Sequence, residues 1–338
     1  MQSKKNILVT GGCGFIGSHF ASLVKQHFNN VVVVDSLTYA AVNTPERFKT
    51  SSFICDYGVY YYRCDINNQQ FIKHILENEQ IEIVVNFAAE SHVDNSITSA
   101  SKFIDTNVQG VLSLINACRE AWSNKGDECR FIQVSTDEVY GSLLANQKSF
   151  NESSNYNPRN PYAASKAAAD HLVDSFVNTF QFPAIVTHCC NNYGPGQHLE
   201  KFIPKCIQNI YYHKKIPIYG DGKNIREWIH VIDHCNGILH AIQRGKVGEH
   251  YNFGTGFELT NLELTEKICA AALANCKQVV TFVPDRLGHD LRYSIDSSKA
   301  RRELHWEPVI QFDQGLGDTI RNYMSRWKQQ TKDTKSEF

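Results

Sequence analysis

The chain has no excess of charge of either sign: 34 Lys and Arg stand against 35 Asp and Glu in 338 residues. Nucleic-acid binders and proteins held on anionic membranes need clustered positive charge, so the composition supports neither class. Long apolar runs are missing too. The N-terminus, MQSKKNILVT, is polar before a short hydrophobic stretch and does not read as a secretion signal. Nothing approaches the roughly 20 apolar residues that a spanning helix requires. Of the 11 cysteines no two are spaced CxxC, and Cys189 and Cys190 are adjacent and badly placed to pair with each other. A scattered, odd set reads as reduced thiols in a cytoplasmic protein, not as a disulfide framework. The histidines suggest no ligand set, and no catalytic metal is expected.

What is present is an alternation. Short apolar runs at 6–10, 31–35, 59–66, 81–89 and 130–136 are separated by helical patterns at 15–28, 69–78 and 101–122. Strands without polar alternation, with helices between them, indicate a parallel sheet covered on both faces. Right-handed crossovers then give a doubly wound α/β (Rossmann) fold. After about residue 190 turn formers multiply. Residues 216–224 read as strand and turn, 230–245 as helix, 250–256 as strand and 261–276 as helix. The expected organisation is a nucleotide-binding domain over 1–190 and a smaller, irregular α/β substrate domain over 191–229 and 257–330. The 230–256 unit is expected to return to the first sheet, and the polar tail, 331–338, to fray.

Thr10-Gly-Gly-Cys-Gly-Phe-Ile-Gly17 follows the first strand and opens a helix. Gly11, Gly14 and Gly17 have the spacing of a turn that brings backbone close to a pyrophosphate at a helix N-terminus. Phe15 and Ile16 lie inside it. The second strand ends in Asp35, where a dinucleotide fingerprint places its ribose-binding acid. An acid there repels a 2′-phosphate, which favours NAD over NADP.

Asn160 and Pro161 start a helix in PRNPYAASKAAADHLV, and Tyr162 and Lys166, four apart, share one of its faces. A nearby ammonium lowers a phenol from its reference near 10. Tyr162 is thereby expected to take a hydroxyl proton while a hydride leaves the same carbon. Upstream, STDEVYG ends an apolar strand with a hydroxyl, Thr136, and two adjacent acids, Asp137 and Glu138. Neighbouring carboxyls disfavour double ionisation, so one can stay protonated near neutral pH.

Taken together, TGGCGFIG, AAESHVD, STDEVYG, PYAASK, NNYGP and RLGHDLRY resemble the extended short-chain dehydrogenase/reductase family, and within it the nucleotide-sugar 4,6-dehydratases, from about Lys5 to Trp327. The resemblance implies NAD as cofactor and dTDP-glucose as substrate, with UDP-glucose as the alternative. It implies a reaction that oxidises C4, removes water across C5 and C6, and returns the hydride to C6. It makes Asp137 the acid and Glu138 the base, with Thr136 near O4. It places Asp65 and Ile66 beside the adenine, Ala88 and Ala89 under the cofactor, and Ser91 near sugar and cofactor. Asn192 and Lys201 then hold sugar and diphosphate, and Arg226, Arg286 and His289 the diphosphate or nucleoside. Asn107 is expected to order backbone. The resemblance also implies a homodimer built from the helices near 103–122 and 162–180. The rivals are a nucleotide-sugar 4-epimerase or decarboxylase, which shares the glycine turn, Tyr162 and Lys166 without the acid pair, and a non-catalytic NAD-binding protein.

Overall fold

Apolar runs with little polar alternation form one twisted sheet in the computed structural model, which describes residues 5–46, 53–56, 58–125, 128–285 and 288–336. Strands β1 (Ile7–Thr10), β2 (Val31–Asp35), β3 (Phe53–Asp56), β4 (Val59–Arg63), β5 (Ile83–Asn86), β6 (Arg130–Val134) and β7 (Ala184–Cys189) come first along the chain. They are followed by β8 (Asn191–Tyr193), β9 (Ile216–Tyr219), β10 (Ile225–His230), β11 (His250–Phe253), β12 (Glu258–Thr260) and β13 (Val280–Val283). The large sheet has the order β11-β7-β6-β5-β1-β2-β4-β3, parallel throughout except for the antiparallel edge strand β3. Strand β11 pairs in parallel with β7, His250 opposite Val186.

Successive residues of a strand face opposite sides. Ile7 and Val9 therefore pack with α1 (Phe15–Val24), while Leu8 packs on the other face with α2 (Gln69–Asn78). Two short helices follow, α3 (Val93–Thr98) and α4 (Ser101–Ile104). The second face also takes α5 (Gly110–Ala121) and α6 (Pro161–Phe180). The smaller lobe holds α7 (Phe202–Tyr211), while α8 (Val231–Arg244) packs beside α1 on the first face of the large sheet. Helices α9 (Asn261–Ala271), α10 (Cys276–Val279) and α11 (Phe312–Ser336) complete the chain. The smaller lobe contains the sheet β12-β10-β8 and the pair β13-β9. Ile207, Ile218, Trp228, Ile268 and Leu316 are among its buried core residues.

Several boundaries differ from the sequence expectations. The 101–122 helix contains a π-helical turn at Asp105–Gln109 between α4 and α5. That turn carries Asn107, whose side chain bonds both backbone groups of Glu90, at 2.9 and 3.0 Å, and Ser165 Oγ at 2.8 Å. The 261–276 helix stops at Ala271, and the chain turns through Leu273 in the left-handed region, φ 56°. The backbone stays helical to Ser336, beyond the start of the expected frayed tail. Ile295, Ala300, Leu304 and Trp306 pack into the core of the first lobe, although the sequence reading puts them in the second. Their apolar side chains complete the face that α8 leaves partly covered.

Candidate active site

The chain leaves β1 toward β2 on one side and reaches β5 on the other, so the ends of β1 and β5 diverge and open a crevice. Gly11 lines that crevice with φ +62°, and a Cβ there would lie 2.7 Å from the nitrogen of Ala88. At Gly17 a Cβ would come within 2.4 Å of the Gly11 carbonyl oxygen. Helix α1 begins at Gly14 with no side-chain cap, which leaves its first N–H groups directed at the crevice. Asp35 is buried, its Oδ2 accepting from Cys13 N at 3.0 Å and its Oδ1 from Leu37 N at 2.7 Å. Each oxygen keeps a second lone pair for a ribose hydroxyl. Glycine cradle, uncapped helix and fixed acid fit a dinucleotide.

A single cavity of about 340 Å³ runs from this cradle to the end of β6. Its wall includes Gly11, Gly14, Phe15, Ile16, Gly17, Asp35, Asp65, Ile66, Ala88 and Ala89 on the cradle side. Ser91, Thr136, Asp137, Glu138, Tyr162, Lys166, Asn192 and Lys201 complete it toward the smaller lobe. Residues remote in sequence thus meet where the sequence reading expects a cofactor and a sugar. Lys201 reaches across from the smaller lobe, donating to Ser91 O at 3.0 Å.

The two acids have unequal surroundings. Asp137 is 3% exposed, its Oδ1 accepts from Thr136 Oγ1 at 3.3 Å, and its Oδ2 has no partner. Burial first, then the charges of Glu138 and Glu227, hold its carboxyl well above the usual range. Glu138 is also pushed up by burial, but Asn160 Nδ2 donates to its Oε2 at 3.0 Å, and Arg226 and Lys201 favour its charge. Of the pair, Asp137 is the one equipped to keep a proton and Glu138 the one equipped to accept one.

Tyr162 corrects an expectation. Burial and the Glu138 charge push its phenol well above the ordinary range, opposed by a hydrogen bond with Thr136. The Lys166 charge does not outweigh these influences; its Nζ donates to the β6 carbonyl of Val134 at 2.6 Å. Burial lowers the Lys166 ammonium, and Asp170 opposes that shift.

Some expected ligand-binding residues lie off the cavity wall. Arg226 stands behind the acids, 4.3 Å over the ring of Tyr293, with Nη2 on Asp290 O at 3.1 Å. His289 pairs with Asp285 at 2.6 Å in the smaller lobe. Arg286 falls outside the described residues. The amide of Asn192 is engaged by protein, donating to Cys190 O at 3.1 Å and accepting from His234 Nδ1 at 2.9 Å. His230 and His234 have the four-residue spacing of a helical metal pair, which the sequence reading passes over. His230 instead caps α8, and among the described residues no group of three or more His, Cys, Asp and Glu could hold a metal. Sequence reasoning takes Asn160 only as a cap and misses its bond to Glu138. It also misses Glu227, whose buried carboxylate accepts three backbone N–H bonds, from Thr255, Gly256 and Ile295. An acid beside Trp228 and Ile229 in β10 is the signal that marks Glu227.

The model of the GDP-mannose 4,6-dehydratase family matches residues 8–319. The dTDP-glucose 4,6-dehydratase of Neisseria gonorrhoeae is 42% identical over 339 residues, covering 96% of this chain and 96% of its own. The solved structure of DesIV, a dTDP-glucose 4,6-dehydratase from Streptomyces venezuelae with NAD and TYD bound, is similar with a TM-score of 0.87 and 42% identity, covering 96% of this chain and 98% of its own. A UDP-glucose 4-epimerase from Thermotoga maritima has a TM-score of 0.85 at 25% identity, covering 95% and 99%. Backbone shape therefore does not separate these activities, and the side chains in the cavity must. Matched along most of its length by one family model and nearly end to end by a relative at 42% identity, the chain belongs to the GDP-mannose 4,6-dehydratase family of extended short-chain dehydrogenases/reductases.

Proposed function

We propose that this chain is an NAD-dependent dTDP-glucose 4,6-dehydratase. One observation carries the reading: the adjacent acids Asp137 and Glu138, in unequal surroundings, share one cavity with Tyr162 and the glycine cradle. An epimerase eliminates no water and has no use for such a pair.

When bound, NAD supplies an acceptor for the C4 hydride, a donor for C6, and positive charge that favours the phenolate. Gly11, Gly14, Phe15, Ile16, Gly17, Asp35, Asp65, Ile66, Ala88 and Ala89 hold it. Tyr162 takes the O4 proton, assisted by Thr136 and by the Lys166 charge beneath. With C4 a ketone, the C5 hydrogen becomes acidic, and Glu138 removes it. Asp137 gives its proton to the departing 6-hydroxyl, which leaves as water. Glu138 returns its proton to C5 as C6 is reduced. Ser91, Asn192 and Lys201 orient the sugar and diphosphate, while Arg226 acts from behind the acids by favouring the Glu138 charge.

Eleven free cysteines, most of them buried, support cytoplasmic residence. A homodimer is favoured by the apolar side chains left outside near α4 and α6, Ile97, Ile104 and Phe180, which are 40%, 50% and 49% exposed. The experiment that tests the activity is incubation with dTDP-, UDP-, GDP- and CDP-glucose, with mass spectrometry for the loss of water. Turnover of dTDP-glucose to a 4-keto-6-deoxy product is expected. Recovery of a 4-epimer without dehydration replaces this reading with the rival.

A further inference from the structure

We propose that Asp170 is a positioning residue for this reaction: a buried carboxylate, clamped from three sides, that supplies the counter-charge of the Lys166 ammonium one helical turn away. The inference rests on the role given to Lys166 above.

Asp170 follows Lys166 by four on α6, so the two side chains lie on one face. Both are buried, at 0% and 3% exposure. A carboxylate deep in a protein is costly unless several donors meet it. Here Oδ2 gathers Ser135 Oγ from just past β6 at 2.6 Å, Tyr156 OH from the loop before α6 at 3.2 Å, and His188 Nε2 from β7 at 3.3 Å. Oδ1 is buried with no hydrogen-bond partner. Burial acts to raise Asp170, yet His188, Lys166 and Ser135 outweigh it and hold the carboxyl below the usual range. Burial lowers the His188 imidazole from its ordinary range, and Asp170 opposes that shift. Asp170 is thus held as a carboxylate one helical turn from Lys166.

That charge is needed because Lys166 is itself losing a contest with burial. Its one protein acceptor is a neutral carbonyl, Val134 O, and the largest influence restoring its proton is Asp170. Cys189 on β7 adds a smaller push in the same direction. Around the clamp, Tyr140 OH meets His188 Nδ1 at 3.2 Å and Asn252 Oδ1 at 3.0 Å. Tyr156 OH meets His188 Nε2 at 2.7 Å and His250 Nδ1 at 3.5 Å, and His250 Nε2 pairs with Asp174 at 2.8 Å. Lys299 and Glu152 complete the charged groups near these partners. His188, Tyr156 and His250 form a hydrogen-bonded path from the buried clamp to the Asp174 carboxylate, which is 33% exposed.

The test is ¹³Cε-lysine NMR of the whole protein with NAD bound, the Lys166 signal being assigned by its loss in Lys166→Met. Asp170→Asn should lower the Lys166 titration midpoint by about one pH unit or more, since one unit is the order of a single close charge. The alkaline limb of kcat on dTDP-glucose should move down by the same amount, with KM changed no more than about twofold. Asp170→Leu removes the same charge without leaving a buried amide and should move both in the same direction. It also carries the test if Asp170→Asn does not fold. An unmoved Lys166 midpoint in the folded variants overturns the proposal, as does a kcat loss equal at every pH. If the unmodified protein does not turn over dTDP-glucose, the functional reading fails, while the NMR midpoint still judges Asp170.

Discussion

Asn160 donates through Nδ2 to Glu138 Oε2 at 3.0 Å while its own Oδ1 accepts from Ala163 N at 2.8 Å. One side chain thus starts the helix that presents Tyr162 and Lys166 and steadies the carboxylate assigned as base. The bond favours ionised Glu138, whose carboxyl burial otherwise raises. Asn160→Ala should cost about 1 kcal/mol of stability through the lost cap and move the acidic limb of kcat to higher pH, because Glu138 then stays protonated over more of the acid range. Asn160→Asp keeps a capping oxygen and places a like charge beside Glu138. Denaturant unfolding together with a pH–rate profile should show the Asp variant more stable than the Ala variant and less active below neutral pH. Parallel losses in both measurements would refute the dual role.

Asp137 should display a conflict between stability and activity. Its folded-state carboxyl is raised by burial and by Glu138 and Glu227. In the unfolded chain it ionises near the reference of about 3.9. As pH rises through that value the unfolded state loses a proton that the folded state keeps, so stability falls until the folded-state group ionises as well. Asp137→Asn removes this penalty. It should stabilise the protein by about 0.5–2 kcal/mol at neutral pH, with the gain disappearing toward about pH 3. Dehydration should drop by roughly 10²–10⁴-fold, the usual contribution of a positioned acid, with NAD binding retained. Thermal unfolding across pH, beside product assays, checks both signs. A variant equally active, or destabilised at neutral pH, contradicts the assignment.

The parts of the site legible in the sequence are those fixed by local geometry. Gly11, Gly14 and Gly17 follow a strand and open a helix, and Tyr162 and Lys166 are tied together by helical periodicity. Asp137 and Glu138 are conspicuous because acids at an apolar strand end are costly without a function. Tertiary quantities were hidden. The direction of the Tyr162 shift depends on burial and on where Lys166 spends its hydrogen bond, and neither is a property of YxxxK spacing. Arg226 reaches its place behind the acids through a contact with Asp290, 64 residues away in the chain. His188 reads as one residue of a buried strand, and only the packing of α6 against β7 makes it a partner of Asp170. The same holds for Ile295 to Trp306, whose apolar residues fit either lobe until the core is assembled.

Gly11 tests the cradle. It combines φ +62° with a backbone atom of Ala88 2.7 Å from any added Cβ, and a backbone neighbour cannot swing aside as a side chain can. Gly11→Ala should therefore cost about 1–3 kcal/mol, the range for a non-glycine residue forced into such a conformation. It should also weaken NAD, because relief requires β1 and the β5 exit to separate where the pyrophosphate is to lie. Urea unfolding and cofactor titration by fluorescence measure the two effects. An unchanged NAD affinity in a destabilised Gly11→Ala protein would remove Gly11 from the binding site while leaving its structural role.

The assembly prediction turns on Ile104 and Phe180. Both are about half exposed, on α4 and at the end of α6, although each is a large apolar side chain. Arg119 lies over the Phe180 ring at 3.8 Å and over Phe176 at 5.4 Å, so an arginine and two aromatic rings border the same surface. An interface of moderate size is strongest where apolar centres are ringed by such residues. Ile104→Asp replaces a half-exposed apolar side chain with a charge that a partner's apolar surface would have to desolvate. Sedimentation velocity at micromolar concentration should show a dimer for the unmodified protein and a shift toward monomer for Ile104→Asp. Phe180→Ser should produce a smaller shift in the same direction. Because α6 also carries Tyr162 and Lys166, the monomeric variant should lose kcat while its circular dichroism stays native. A monomer in the unmodified protein, or a dimer indifferent to both substitutions, would place the contact elsewhere.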